Sequence, residues 1–119
     1  MSFRLPTFPG GVHPPDCKAP SAGCPVAAAP MPEKLAVTLA QGLGAPSRPV
    51  VAVGDRVLRG QLIAEPGGFV SAAIHAPTSG KVEAIGDCPH PAGVKAHAIY
   101  IVPDGADEWA PGANVPASA

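Results

Sequence analysis

The chain has 119 residues with 8 basic and 9 acidic side chains, for a formal net charge of −1. That length holds one small domain, and charges scattered singly exclude the basic footprint expected of a nucleic-acid binder or of a protein held on an anionic membrane by its charge. Hydrophobic residues make up 46% of the chain, but 22 of them are Ala and only 26 are Val, Ile, Leu or Phe, which predicts a thin core. With 14 Gly and 17 Pro, part of the chain is expected to stay outside any core.

Cys17, Cys24 and Cys88 are an odd number, and the opening residues lack the apolar run of a secretory signal, so a reduced cytoplasmic setting is expected. Residues 1–34 carry eight prolines and no periodicity of 2 or 3.6, the mark of an extended arm. Within the arm, residues 17–32 have a proline about every five positions, which forbids a helix and discourages a central strand, so this stretch reads as a linker. Its uncharged part, Ala19–Pro32, is 14 residues long and broken by four prolines, against the roughly 20 apolar residues that cross a bilayer. Direct membrane insertion is not expected.

Residues 35–102 are the folding candidate. Short apolar runs with partial alternation read as strands at 35–39, 50–53, 56–58, 61–65, 69–74, 80–85 and 98–102. Turn residues separate them at Gly54-Asp55, Arg59-Gly60, Pro66-Gly67-Gly68, Pro77–Gly80, Gly86-Asp87 and Pro89–Gly93. No window offers a convincing amphipathic helix. A compact all-β barrel or sandwich of six to eight short strands is predicted, with Val53, Val57, Leu62, Ile63, Val82, Ile85, Ile99 and Ile101 supplying most of the core. Residues 103–119 return to small, polar and turn-forming types and read as a short irregular tail, with Trp109 expected to cover a barrel edge.

The stretch Val50–Glu65 (VVAVGDRVLRGQLIAE) followed by His75–Ile85 (HAPTSGKVEAI) resembles the barrel-sandwich hybrid of biotinyl and lipoyl domains. The physics agrees: Gly54 and Gly60 suit turns that need positive φ, and Val57, Leu62 and Ala64 can point inward. The likeness implies two short sheets related by a rough internal twofold, and raises the reading of a covalent carrier whose hairpin-tip lysine is lipoylated or biotinylated. The stretch between the two halves, Pro66–Ala73, holds no lysine, and Lys81 follows Gly80 inside a strand. Both groups attach through an ε-amino nitrogen, so the carrier reading is disfavoured.

A wider resemblance takes in the arm. Gly10–Lys18 (GGVHPPDCK), Met31–Lys34, Leu39–Pro46, the Gly-Asp barrel and His75–Gly80 together resemble the amino-terminal end of RnfC, a component of the Rnf electron transport complex, over roughly residues 8–109. The corresponding component of the sodium-translocating NADH:quinone reductase has a related barrel with a less similar opening. The resemblance implies a non-catalytic module, expected to be a fragment, of an ion-translocating ferredoxin:NAD+ oxidoreductase. The parent RnfC polypeptide would sit at the inner face of the bacterial cell membrane, with other Rnf subunits and its own further domains as partners. In that family FMN, NADH and 4Fe-4S clusters are expected in regions not contained in these residues, because neither a Gly-rich nucleotide loop nor a cysteine run of cluster type occurs here. No catalytic, cofactor-binding or metal residue is therefore assigned, and no activity is expected of this chain alone.

Cys17 and Cys24 are separated by six residues and Cys88 stands beside Pro89-His90, which lacks the close pairing of a metal site; exposed linker thiols at Cys17 and Cys24 and a loop position for Cys88 are the simpler reading. Asp55 reads as a turn residue bonded to its own backbone and Arg56 as a solvated cation. The segment Gly11, Val12, His13, Pro14 and Pro15 is preset to an extended form by its prolines and is the candidate packing or docking segment, packing within the parent polypeptide being preferred over contact with another.

Overall fold

The computed structural model describes residues 10–12 and 14–113 of the chain. Residues 10–12 and 14–34 are exposed and contain no strand, as their prolines dictate. Seven strands follow: β1 (Leu35–Thr38), β2 (Arg48–Pro49), β3 (Arg56–Val57), β4 (Leu62–Glu65), β5 (Ile74–His75), β6 (Gly80–Pro89) and β7 (Lys95–Pro103). They form a four-stranded sheet in the order β1-β7-β6-β3 and a three-stranded sheet in the order β2-β4-β5, all pairs antiparallel. Among the described residues there is no helix, and the architecture is the expected all-β barrel-sandwich hybrid. Each half of the sequence motif gives one strand to each sheet: β3 and β4 from the first, β5 and β6 from the second.

The core lies between the two sheets. Val57, Ile63, Val82, Ile99 and Ile101 are fully buried, with Leu39, Ala64, Ile74 and Ala76 around them and Ile85 packed at the margin. Two expected core residues are not there. Val53 is 61% exposed, because the Asp55 carboxylate accepts the Ala52 N–H at 2.8 Å and the Ala52 carbonyl accepts the Asp55 N–H at 3.1 Å. That tight turn begins at Ala52 and puts Val53 on its outer corner, with Gly54 at a φ of +95°. Leu62 is 42% exposed while Ile63 and Ala64 are both fully buried. The pairing of β4 with β5 shifts between Leu62 and Ala64, and such a bulge turns two successive side chains toward the core where strict alternation would turn one.

Strand limits also differ from the sequence reading. Of 50–53, Ala52 and Val53 enter that turn and Val50 and Val51 precede it outside any strand; the strand of this region is Arg48–Pro49. Of 69–74 only Ile74 joins a strand; the rest is a loop whose polar groups are met elsewhere. Ser71 donates to the Ala45 carbonyl at 2.9 Å, Ser47 to the Ala72 carbonyl at 2.7 Å, and the Val70 carbonyl accepts the Ala45 N–H at 2.9 Å. Gly86-Asp87 is not a turn: β6 runs on to Pro89 and pairs with β7 as far as Lys95, with a bulge between Val82 and Ala84. The hairpin turns at 90–94 instead, where the His90 N–H donates to the Val94 carbonyl at 3.1 Å. At Gly80 the Val102 carbonyl oxygen comes within 2.2 Å of where a Cβ would stand, so the strand entry tolerates no side chain.

Two consequences can be measured by thermal melts followed by circular dichroism. Val57→Asp abolishes the cooperative transition, because an unpaired charge in so thin a core exceeds the roughly 3–5 kcal/mol that a core of this size supplies. Removal of residues 1–32, which includes only exposed positions among those described, lowers the midpoint by no more than about 4 °C.

Candidate functional site

Three places on the barrel could carry chemistry, and each follows from where the strands end. The first is the β4–β5 connection, 66–73, where the carrier reading would need its lysine. The loop is exposed but for half-buried Ser71, carries Phe69 at its surface, and has no amine. Lys81 lies on β6 opposite Arg56 of β3 and Val102 of β7, inside the other sheet. Neither a lipoyl nor a biotinyl amide can form at this loop.

The second place is a clasp between the β3–β4 corner and residues 104–109. The Arg56 guanidinium donates to Glu108 at 2.7 Å and to Asp104 at 3.3 Å, and Arg59 donates to Asp107 at 2.6 Å while its guanidinium stacks 4.2 Å above the Trp109 ring. Beneath these pairs lie the two buried hydroxyls of the Pro77–Gly80 turn. Ser79 donates to Asp104 at 2.7 Å and accepts the Glu108 N–H at 2.8 Å; Thr78 donates to Asp107 at 3.1 Å. The backbone joins in: the Arg59 N–H donates to the Glu108 carbonyl and the Ala110 N–H to the Arg59 carbonyl. Arg56, read from sequence as a solvated cation, is thus a paired one, and Trp109 covers the corner at Gly60 as expected. The Ser79 hydroxyl, with the Ala106 N–H and Arg56 behind it, holds the Asp104 carboxyl below the usual carboxylate range. The Glu108 carboxylate, and more weakly Asp104, raise Arg56 further above its already high value. Sequence reasoning missed this set because its paired members lie 25–52 positions apart. The signal was the Thr-Ser pair in a turn between two strands, where hydroxyls become buried and need partners.

The third place is an apolar groove of about 600 Å³ between the 39–49 segment and the tip of the β6–β7 hairpin, lined by Leu39, Pro46, Pro49, Ala92, Val94 and Ala96 with Arg48, Lys95 and His97 at its margin. His90 closes one end. Its Nε2 lies 2.9 Å from the Ala40 carbonyl and its Nδ1 accepts the Ala92 N–H at 3.2 Å. A carbonyl can only accept, so Nε2 is the donor of the first pair.

The candidate docking segment is not drawn into any of these. Gly11, Val12, Pro14 and Pro15 are exposed, and His13 lies outside the described residues. Cys17 and Cys24 are exposed, and Cys88 is half-buried on β6 opposite Ala96, not in a loop, because the ladder with β7 runs past it. Among the described residues no three His, Cys, Asp or Glu side chains approach closely enough to hold a metal, so the donor set does not fit an iron–sulfur cluster. No helix among the described residues is long and apolar enough to cross a membrane.

The clasp makes a prediction for pH. Asp104 ionises more readily in the folded chain than in the unfolded one, so the stability it contributes is present above the ordinary carboxylate range and is lost as pH falls through that range and below it. Melts of the parent and Asp104→Asn from pH 7 down to pH 3 should show the parent more stable near neutrality and the two midpoints converging in acid.

The RnfC barrel sandwich hybrid domain family matches residues 6–106. The RnfC-type component of the proton-translocating ferredoxin:NAD(+) oxidoreductase complex of Clostridium ljungdahlii is 53% identical over 108 residues, which are 91% of this chain and 24% of that protein. Its counterpart in the ion-translocating oxidoreductase complex of Pseudomonas aeruginosa is 50% identical over 107 residues, 88% of this chain and 14% of its own length. The counterpart in the Na(+)-translocating ferredoxin:NAD(+) oxidoreductase complex of Acetobacterium woodii is 40% identical over 107 residues, 90% of this chain and 24% of its own length. The chain therefore spans no more than about a quarter of these relatives. A barrel of two antiparallel sheets with the Gly-Asp corner, a lysine-free loop and this match over most of its length belongs to the RnfC barrel sandwich hybrid domain family.

Proposed function

We propose that this chain is a non-catalytic packing and docking module of an RnfC-like protein, serving an ion-translocating ferredoxin:NAD+ oxidoreductase at the inner face of the cell membrane. The observation that carries this reading is the family match over residues 6–106, made with a barrel that has lost the amine a carrier needs. Three parts divide the work. Residues 35–102 form the barrel, residues 103–119 lead from it, and residues 1–34 present Gly11, Val12, His13, Pro14 and Pro15 to the rest of the RnfC polypeptide. Two of these five are prolines, which cost little conformational entropy to order on contact. In this assignment FMN, NADH and the clusters belong to other domains, electrons do not pass through the barrel, and neither nucleic acid nor lipid is contacted directly.

The test uses the purified chain and detergent-solubilised Rnf complex in two forms, intact and with the barrel deleted from RnfC. The chain should co-migrate with the deleted form and not with the intact one, and replacing residues 11–15 by Gly and Ser should weaken that co-migration. Co-expression with lipoyl and biotin ligases should leave the intact mass unchanged. Failure to bind the deleted complex, or a lipoyl or biotinyl adduct, would overturn the reading.

A further inference from the structure

The β6–β7 hairpin outruns its neighbour. Strand β1 follows β7 from Leu35 opposite Ile101 to Thr38 opposite Ala98, and its last tie is the Leu39 N–H, which donates to the His97 carbonyl at 2.9 Å. There the chain leaves the sheet, because the Leu39 carbonyl accepts the Ser47 N–H at 2.8 Å and the Gln41 side chain donates back to the Thr38 carbonyl at 3.0 Å. Strand β7 continues to Lys95 with β6 on one side only.

The direction of the exposed groups follows from the pairing. His90 and Val94 are a hydrogen-bonded pair, so Cys88 with Ala96 and Gly86 with Ala98 are the next ones, and Pro89 with Lys95 falls between them. Pro89 has no N–H to give, which suits that place. The Lys95 N–H and carbonyl therefore face away from β6, into the groove vacated by β1, and no described residue takes either as a hydrogen-bond partner. An unpaired strand edge of this kind is a template for another strand.

The walls and charges define what fits. Pro46 and Pro49 on one side and Ala92, Val94 and Ala96 on the other leave a channel of about 600 Å³ over Leu39, with room for alternate side chains of an extended chain. Arg48, Lys95 and His97 stand at its margin and no carboxylate is among its lining residues. Arg48 is engaged with Glu65 at 3.0 Å and His97 lies 3.6 Å from Asp87, which leaves Lys95 without an ion pair among the described residues. We infer that the groove binds an extended segment of a partner polypeptide, apolar at alternate positions and bearing a carboxylate, which pairs with the free edge of β7 as the continuation of β1. This surface is separate from residues 11–15, and the inference stands whether or not the arm docks.

The probe is an acetylated, amidated peptide of alternating Val and Asp, titrated into the 15N-labelled chain and followed by amide shifts. Shifts should concentrate at Leu39, Ala40, Arg48 and Lys95–His97. Lys95→Glu should weaken binding about fivefold, the range of an exposed charge pair, and the peptide with Lys in place of Asp should bind more weakly than the original. Lys95→Pro removes the outward N–H together with the ammonium and leaves the β6 pairing intact, so it should abolish binding where Lys95→Glu only weakens it, while the thermal midpoint holds. Absence of shifts at millimolar peptide, shifts centred on the outer edge of β1, or binding that survives both Lys95→Pro and N-methylation of alternate peptide amides would overturn the inference.

Discussion

The β6–β7 ladder is the interaction on which the other strands depend. Among the described residues β1 pairs only with β7 and β3 only with β6, so neither has a sheet to join until the hairpin exists. The same two strands carry Val82, Ile99 and Ile101, three of the fully buried side chains, each worth about 1.5–3 kcal/mol when removed from water. Their apolar face meets Val57 from β3 and Ile63, Ala64 and Ile74 from the second sheet. The hairpin closes over a turn of three residues between His90 and Val94, the least costly kind of loop to form. A chain with so few large apolar residues can fold because its longest ladder is also its most local.

That dependence explains which parts of the fold were legible in the sequence. Val57, Val82, Ile99 and Ile101 were found because each stands in an apolar run whose inward face is set by period two. Val53 and Leu62 were misplaced where that period is broken, in one case by the Asp55 turn and in the other by the bulge in β4. Nothing local distinguishes Leu62 from Ile63; the choice is made by the register against β5. Gly86-Asp87 has the composition of a turn, yet the pair is carried through β6 by bonding to β7, so a cross-strand ladder overrides a local preference.

The sites were less legible than the fold, for a related reason. The absence of an amine in 66–73 is a fact of sequence and needs only the location of the loop to become chemistry. The clasp is different. Arg56, Arg59, Thr78, Ser79, Asp104, Asp107 and Glu108 come from three separate stretches and mean little until β3, the 77–80 turn and the residues after β7 are brought to one corner. The Asp104–Trp109 stretch, composed like a tail, is bound to that corner by side chains and backbone together. What leaves the barrel after Trp109 therefore does so in a direction fixed by the barrel itself.

The loop that holds no lysine is also a tied one. In a carrier the attachment point is an exposed lysine at the tip of this loop. Here the equivalent loop is tied through Ser71, Val70 and Ala72 to Ala45 and Ser47. The two hydroxyl-to-carbonyl bonds each contribute only about 1 kcal/mol, but with the backbone bond from Ala45 to Val70 they hold the loop against the 45–47 segment. The barrel of this chain is thus tied at the loop and clasped at residues 104–109. The edge left open by β1 then becomes the place where the fold still has hydrogen bonds to offer.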